Sequence, residues 1–276
     1  MKKKIISLFL AAVLAVSAVS AASFSDTSGH WAERAIERWS GYGVINGWNG
    51  KFMPDNKITR GEMAVILDKI MGYRTAAQNS FRDLPEGVFY TLPILKANAA
   101  GAMQGDGQGG VRPTANITRQ EAAVLIANAF SMGTSRSKLS FSDTASVASW
   151  AYPYVAALKD RGVVTGSSFR PTVPITRAEV VSMLNSAISV YAQEARDYTA
   201  FSTFEDMLIR ADGTTVADAS IMRDLIIADA VGEGTVKLRN VSVLGTLIIR
   251  GGAEIVLENC TVGDILNYNS AKITKK

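Results

Sequence analysis

A chain that repeats one five-residue phrase three times at near-constant spacing has few ways to fold. The phrase reads ITRGE at residues 58–62, ITRQE at 117–121 and ITRAE at 175–179, with starts 59 and 58 residues apart. A period of that length signals an array of supersecondary units, each too small to bury its own apolar face. Each copy opens a run with apolar residues on one helical face, such as Met63, Ile66, Leu67 and Ile70 in the first. Thr with Glu three positions on forms a capping box: the hydroxyl accepts from the N3 amide, and the Glu reaches back to the N-cap amide. This predicts three helix starts, at Thr59, Thr118 and Thr176. Arg60, Arg119 and Arg177 do not fit the box. A cation in a helix's first turn faces the positive end of the macrodipole, so an anionic partner is expected beside each. On this local view the arginines add little to folding.

The rest of each unit is equally regular. Each opens with Phe-x-Asp, at Phe24 to Asp26, Phe81 to Asp83 and Phe141 to Asp143. A first helix follows, with Trp31, Phe89 and Trp150 in equivalent places near its start. Glycines recur twelve residues later, at Gly43, Gly101 and Gly162, and sixteen later, at Gly47, Gly105 and Gly166. The first of each pair suits a left-handed helix C-cap. The second belongs to the loop returning to the next helix. Pro54, Pro113 and Pro171 each stand five residues before the motif threonine. Asp26, Asp83 and Asp143 read equally as N-caps or as acceptors for ligand hydroxyls. Trp31 and Trp150 read as core residues or as platforms for a ligand ring. The second unit departs from the pattern: it lacks the tryptophan, and its loop at residues 105–110 is GDGQGG. No Lys-Ser/Thr pair follows that loop and no strand precedes it, so it is not a phosphate cradle.

Residues 1–22 have the form of an export signal, with Lys2, Lys3 and Lys4 ahead of an apolar core and small residues at the end. The formal charge is +4, and loss of those lysines leaves about +1, which is a weak footprint for nucleic acid. A single cysteine, Cys260, excludes an internal disulfide and a multi-cysteine metal site, and the single histidine, His30, limits triad chemistry. No cofactor and no metal is expected.

From about Phe201 the apolar period changes from 3.6 to 2. Asp218-Ala-Ser-Ile, Asn240-Val-Ser-Val and Asn259-Cys-Thr-Val recur at intervals of 22 and 19 residues. Leu225-Ile-Ile and Leu247-Ile-Ile follow the first two at the same offset. A period near 20 with short strands suggests a small β-solenoid of three or four coils, each burying its apolar ladder against the next. Cys260 then aligns with Val241 as a ladder residue. Val262, Ile265 and Leu266 fall in the last recognisable coil, which should fray or meet a second molecule.

The helical unit resembles the S-layer homology repeat. The FSD opening, the HWA or SWA helix start, the GVIN-G or GVVTG turn, the F-x-P loop and the ITRAE helix occur in family order over residues 24–191. The tail is similar, more loosely, to β-helical modules found behind such repeats. The resemblance implies an α+β multidomain chain. Its parts are a signal peptide at 1–22, repeats at 23–74, 80–133 and 140–192 in a pseudo-threefold helical bundle with the first helices at its centre, and a small right-handed β-solenoid at 201–276. It also implies a secreted, non-catalytic protein of the cell wall or S-layer that binds secondary cell-wall polysaccharide in grooves between repeats, typically through a pyruvyl ketal. Arg60, Arg119 and Arg177 would then meet the ketal carboxylate bidentately, with the helix N-termini adding amide donors. Asp26, Asp83, Asp143, Trp31, Trp150, Gly47, Gly105 and Gly166 would complete the sites, and the groove of the second repeat would be the weakest. Two other readings stand beside this one: an assembly protein working through its tail, with self-association, and an envelope glycan hydrolase or lyase. No carboxylate pair at a defined spacing supports the last.

Overall fold

The computed structural model describes residues 24–276; the expected export signal lies outside them. Six helices come first: α1 (Glu33–Gly41), α2 (Arg60–Met71), α3 (Thr91–Ala99), α4 (Arg119–Ala129), α5 (Tyr152–Asp160) and α6 (Arg177–Ala187). All three capping boxes form, on Thr59 with Glu62, Thr118 with Glu121 and Thr176 with Glu179. Gly43, Gly101 and Gly162 all adopt positive φ just past the first helices.

The repeats close into a ring. The Ile58 amide donates to the Ile175 carbonyl at 3.3 Å, Ile175 to Ile117 at 3.0 Å, and Ile117 back to Ile58 at 3.0 Å. All three isoleucines are fully buried, so the pseudo-threefold axis passes through a three-membered cycle of backbone hydrogen bonds. Packing is staggered: α2 rests on α3, α4 on α5, and α6 returns to α1. Each motif helix therefore leans on the first helix of the following repeat. The expected central bundle of first helices is corrected here. Helices α2, α4 and α6 are buried along most of their length, whereas α1 buries only Ile36, Trp39 and Ser40. The N-termini of α2, α4 and α6 begin at the isoleucine cycle, which places these three helices around the axis.

Strands begin at Ile188, directly after α6 and ahead of the expected 201. They are β1 (Ile188–Ala192), β2 (Asp197–Thr203), β3 (Asp206–Ile209), β4 (Thr215–Ile221), β5 (Leu225–Ile227), β6 (Thr235–Ile249), β7 (Glu254–Glu258), β8 (Thr261–Asn267) and β9 (Lys272–Lys275). Every pairing is parallel, with β2, β4, β6, β7 and β9 stacked on one side and β1, β3, β5, the end of β6 and β8 on another. This is a β-solenoid of about five turns, not three or four, because the first coil is built from residues 188–203. One corner is set by residues in the left-handed region: Ala200, Asp218, Asn240 and Asn259. Their side chains form a ladder, Asn240 Nδ2 donating to Asp218 Oδ1 at 2.8 Å and Asn259 Nδ2 to Asn240 Oδ1 at 2.9 Å. Asn and Asp tolerate that backbone better than other residues with a Cβ. Cys260 packs against the solenoid core as a ladder residue.

Solenoid and bundle share a face. Tyr191, Leu208, Ile226, Ile248 and Leu266 lie in register on successive coils. The first four are buried in the core of the helical bundle. That is why the tail carries uninterrupted Leu-Ile-Ile triplets: a strand covered on both sides has no polar face to alternate with. Arg161 bridges the seam, reaching Asp206 at 3.1 Å and Asp224 at 2.6 Å. Asp206 is almost wholly buried, and burial pushes its carboxyl up to about 7 despite the opposing pull of Arg161.

Candidate functional site: grooves between the repeats

The motif helices do not offer open N-termini. In α2 the Arg60 amide donates to Ala115 O at 3.0 Å and the Gly61 amide to Pro113 O at 2.8 Å. The same two bonds run from α4 to Val173 and Pro171, and from α6 to Asn56 and Pro54. With the N-cap and N3 amides held by the capping box, the first turn has no amide to spare for an anion. The helix-terminus donors expected for a ligand are therefore already used by the neighbouring repeat. The recurring prolines supply one of these carbonyls in each case.

The arginines continue along the same seam. Arg60 is buried; its Nε donates to Val111 O at 2.8 Å, Nη2 to Gln104 O at 3.0 Å, and Nη1 stands 3.3 Å from Glu121. Arg177 donates to Phe52 O at 2.9 Å and Asn46 O at 2.6 Å, with its guanidinium 4.6 Å from the centre of the Phe52 ring. Arg119 lies 3.3 Å from Glu179 and 5.5 Å from the Phe169 ring centre, and its Nε is buried without a protein partner among the described residues. Each side chain thus ties its helix to the loop of an adjacent repeat. The view that these residues add little to folding does not hold.

A second arginine joins two of the three sites. Arg112 contacts Glu121 at 2.6 Å, and Arg170 contacts Glu179; the equivalent position in the first repeat is Met53. Burial alone would push the Glu121 carboxyl up, but the Thr118 amide and hydroxyl, together with Arg60 and Arg112, outweigh it and hold it below the usual glutamate range. Glu179 is lowered in the same way by Thr176, Arg119 and Arg170.

The aspartates are not the N-caps of the first helices. Helices α1, α3 and α5 are capped by Ala32, Tyr90 and Ala151 with no side-chain bond. Instead Asp26 accepts from the Phe52 and Met53 amides, Asp83 from Val111 and Arg112, and Asp143 from Phe169 and Arg170, with five of these six bonds at 2.8 Å. They staple the return loop of their own repeat. A slight desolvation of Asp26 and Asp143 is outweighed by these amides, which keep both carboxyls below their ordinary value. Gly47 and Gly105 are loop residues too: a Cβ on Gly47 would run into the Phe24 ring and Lys51 O, and one on Gly105 would lie 2.9 Å from Phe81. Gly166 is held at φ +104°.

What remains open is aromatic. Trp31, Phe89 and Trp150 are 64%, 67% and 52% exposed, so the core reading of the tryptophans is set aside. A groove of about 750 Å³ brings Trp150 and Tyr154 of the third repeat against the second repeat's loop at Gln104 to Gln108, with Arg60, Arg112 and Glu121 at its base. One groove thus draws on all three repeats. By the register of the repeats, Trp31 accompanies Arg119 and Arg170, and Phe89 accompanies Arg177 and Met53. The glycine-rich loop therefore faces a tryptophan, and the site poorest in these groups is the one floored by the first repeat's loop. Sequence reasoning missed Arg112 and Arg170; their place just before the recurring proline was the available signal.

Among the described residues no cluster of three or more metal-ligating side chains occurs, and no helix is long and apolar enough to cross a membrane. A family model described as the S-layer homology domain matches residues 23–64, 80–123 and 140–181. The chain is 31% identical to an S-layer protein of Bacillus licheniformis over 70% of its own length and 23% of that protein's. It is 28% identical to the surface-layer 125 kDa protein of Lysinibacillus sphaericus, covering 64% of this chain and 16% of the relative. It is 30% identical to exoglucanase XynX of Acetivibrio thermocellus, over 59% of this chain and 16% of that enzyme. The chain spans less than a fifth of the length of the first relatives it matches. Its place is with the secreted proteins of the cell wall and S-layer. The chain belongs to the S-layer homology domain proteins, with three such domains followed by a β-solenoid.

Proposed function

We propose that this protein is a non-catalytic cell-surface anchor that binds secondary cell-wall polysaccharide in the grooves between its repeats, with a pyruvyl ketal as the recognised acidic group. The observation that carries the reading is the groove in which exposed Trp150 faces the Arg60–Glu121–Arg112 cluster. An exposed indole offers a flat apolar face to a sugar ring. Half-exposed Arg112 keeps donors free for a carboxylate, and a guanidinium fork meets that group bidentately. Arg60, Arg119 and Arg177 hold each groove together and present an edge to it, while the aspartates and glycines set the loop shape. A relative described as the cellulosome-anchoring protein of Acetivibrio thermocellus, 31% identical over 50% of this chain, supports an anchoring role.

The test is sedimentation with purified cell walls before and after chemical removal of the ketal. Binding should fall on ketal removal, and Trp150→Ala or Trp31→Ala should weaken it more than Phe89→Ala does. Undiminished binding to ketal-free walls would discard carboxylate recognition. The second reading, assembly through the tail, is favoured by one feature. In the last coil Val262, Ile265 and Ile273 are only partly buried, and Leu266 is 39% exposed. Sedimentation velocity across a range of protein concentrations separates it: a monomer at all concentrations removes self-association.

A further inference from the structure

The groove holding Trp150 does not stop at the repeats. Its wall residues Asn128 and Tyr154 also line a second cavity, of about 740 Å³, at the seam between bundle and solenoid. Both volumes fall within the range of ligand sites. The second cavity is closed on the solenoid side by Arg250, Leu266 and Tyr268, and on the bundle side by the ends of α2, α3 and α4.

The walls of this cleft are built features. Arg250 is nine-tenths buried and fixed by Asp229 at 2.9 Å and by Ala100 O at 3.2 Å. Its guanidinium lies between two rings, 5.8 Å from the centre of Tyr73 and 5.5 Å from that of Tyr268. That clamp holds Tyr268 in place although the residue is 61% exposed, leaving an open ring face at the mouth of the cleft. Tyr73 is 2% exposed, and its hydroxyl is a buried polar atom without a protein partner among the described residues.

We infer that the bundle–solenoid cleft is a second saccharide subsite, continuous with the Trp150 groove, so that one polysaccharide chain runs from the repeats along α4 and α5 onto the tail. The inference rests on the polysaccharide reading of the groove and extends it. Trp150 and Tyr268 act as stacking platforms in the two cavities, and Asn128 and Tyr154, common to both, line the passage between them. The tail thus lengthens the binding site instead of merely trailing behind the repeats.

The experiment uses the full chain and wall polysaccharide released enzymatically and separated into fragments by length. Affinity should rise with length beyond the size that fills the Trp150 groove. Tyr268→Ala should remove roughly tenfold of that gain, the worth of about one aromatic contact, while short fragments bind as before. Tyr268→Phe should restore the gain. Thr134→Trp, which adds bulk at an exposed edge of the cleft, should also abolish it without touching the solenoid. Short fragments binding normally with no gain for length, or a gain that survives both Tyr268→Ala and Thr134→Trp, overturns the second subsite and leaves the groove standing. If no fragment of any length binds, both readings fall.

Discussion

The two halves of this molecule are both built from repeats, but they end differently. The helical repeats close on themselves: Ile58, Ile175 and Ile117 bond in a cycle, and each motif helix has its first amides covered by the next loop round. The solenoid coils stack in a line, each resting on the one before it, and Val262 and Ile273 in the coil at residues 261–275 are half-buried. In a ring every member touches every other, whereas in a line each coil touches only its neighbours. Damage in the ring should therefore spread to all three repeats, while damage in the line should stay with the coils beyond it.

The largest test of that contrast is Arg60→Ala. It strips a buried guanidinium from Glu121 and from two loop carbonyls, and breaking a buried pair typically costs about 3–5 kcal/mol. Chemical denaturation should show one cooperative loss for all six helices. Hydrogen exchange that rises only around residues 100–121 would show that the ring does not act as a unit. Asn240→Ala comes next. It places alanine in the left-handed region and cuts the ladder to Asp218 and Asn259, at a cost of about 2 kcal/mol from backbone and side-chain bonds together. Exchange should increase in β7, β8 and β9, leaving α1 to α6 protected. Loss of protection in the bundle would contradict the linear picture.

The last effect is one of acidity, and it has opposite signs in the two regions. Glu121 and Glu179 are held below their ordinary values in the folded ring. Their contribution is present above the unfolded glutamate pKa, about 4.3, and is lost as pH falls through the lower folded value. Asp206, at the seam, is raised to about 7. The folded state then binds more protons than the unfolded one between about pH 4 and 7. Seam stability is thus complete at the acid end of that window and declines as pH rises through 7. Thermal melts from pH 5 to 8 should show the seam weakening upwards, and Asp206→Asn should flatten the slope. A slope unchanged by that substitution would move its origin elsewhere.

What was readable in the sequence follows from how far each residue reaches. The capping boxes close within three positions, and all three were predicted. The solenoid repeat was visible because ladder residues recur at coil spacing. Arg60 could not be understood from its own helix, since its partners Gln104 and Val111 lie 44 and 51 residues on, and those of Arg177 lie more than 120 residues back. The aspartates misled for the same reason: their amide partners stand 26 to 29 residues downstream. Exposure of Trp31 and Trp150 depends on which helices become central, and local periodicity does not decide that. The Leu-Ile-Ile triplets were a missed signal, because apolar residues on both sides of a strand already imply a second covering surface.

The solenoid's corner ladder has a direction. Asn259 gives its amide hydrogen to Asn240, and Asn240 gives its own to Asp218. The side-chain dipoles therefore add along the solenoid axis, their positive ends turned toward the earlier coils. The coil before Asp218 carries Ala200 at this corner and can offer no acceptor. A carboxylate, which only accepts, terminates the positive end of the row, as an acidic residue does at the start of a helix. An amide in place of Asp218 would leave a donor pointing at a methyl group. The two kinds of repeat in this chain thus arrive at one device: a run of aligned dipoles, with an acidic side chain set where the run begins.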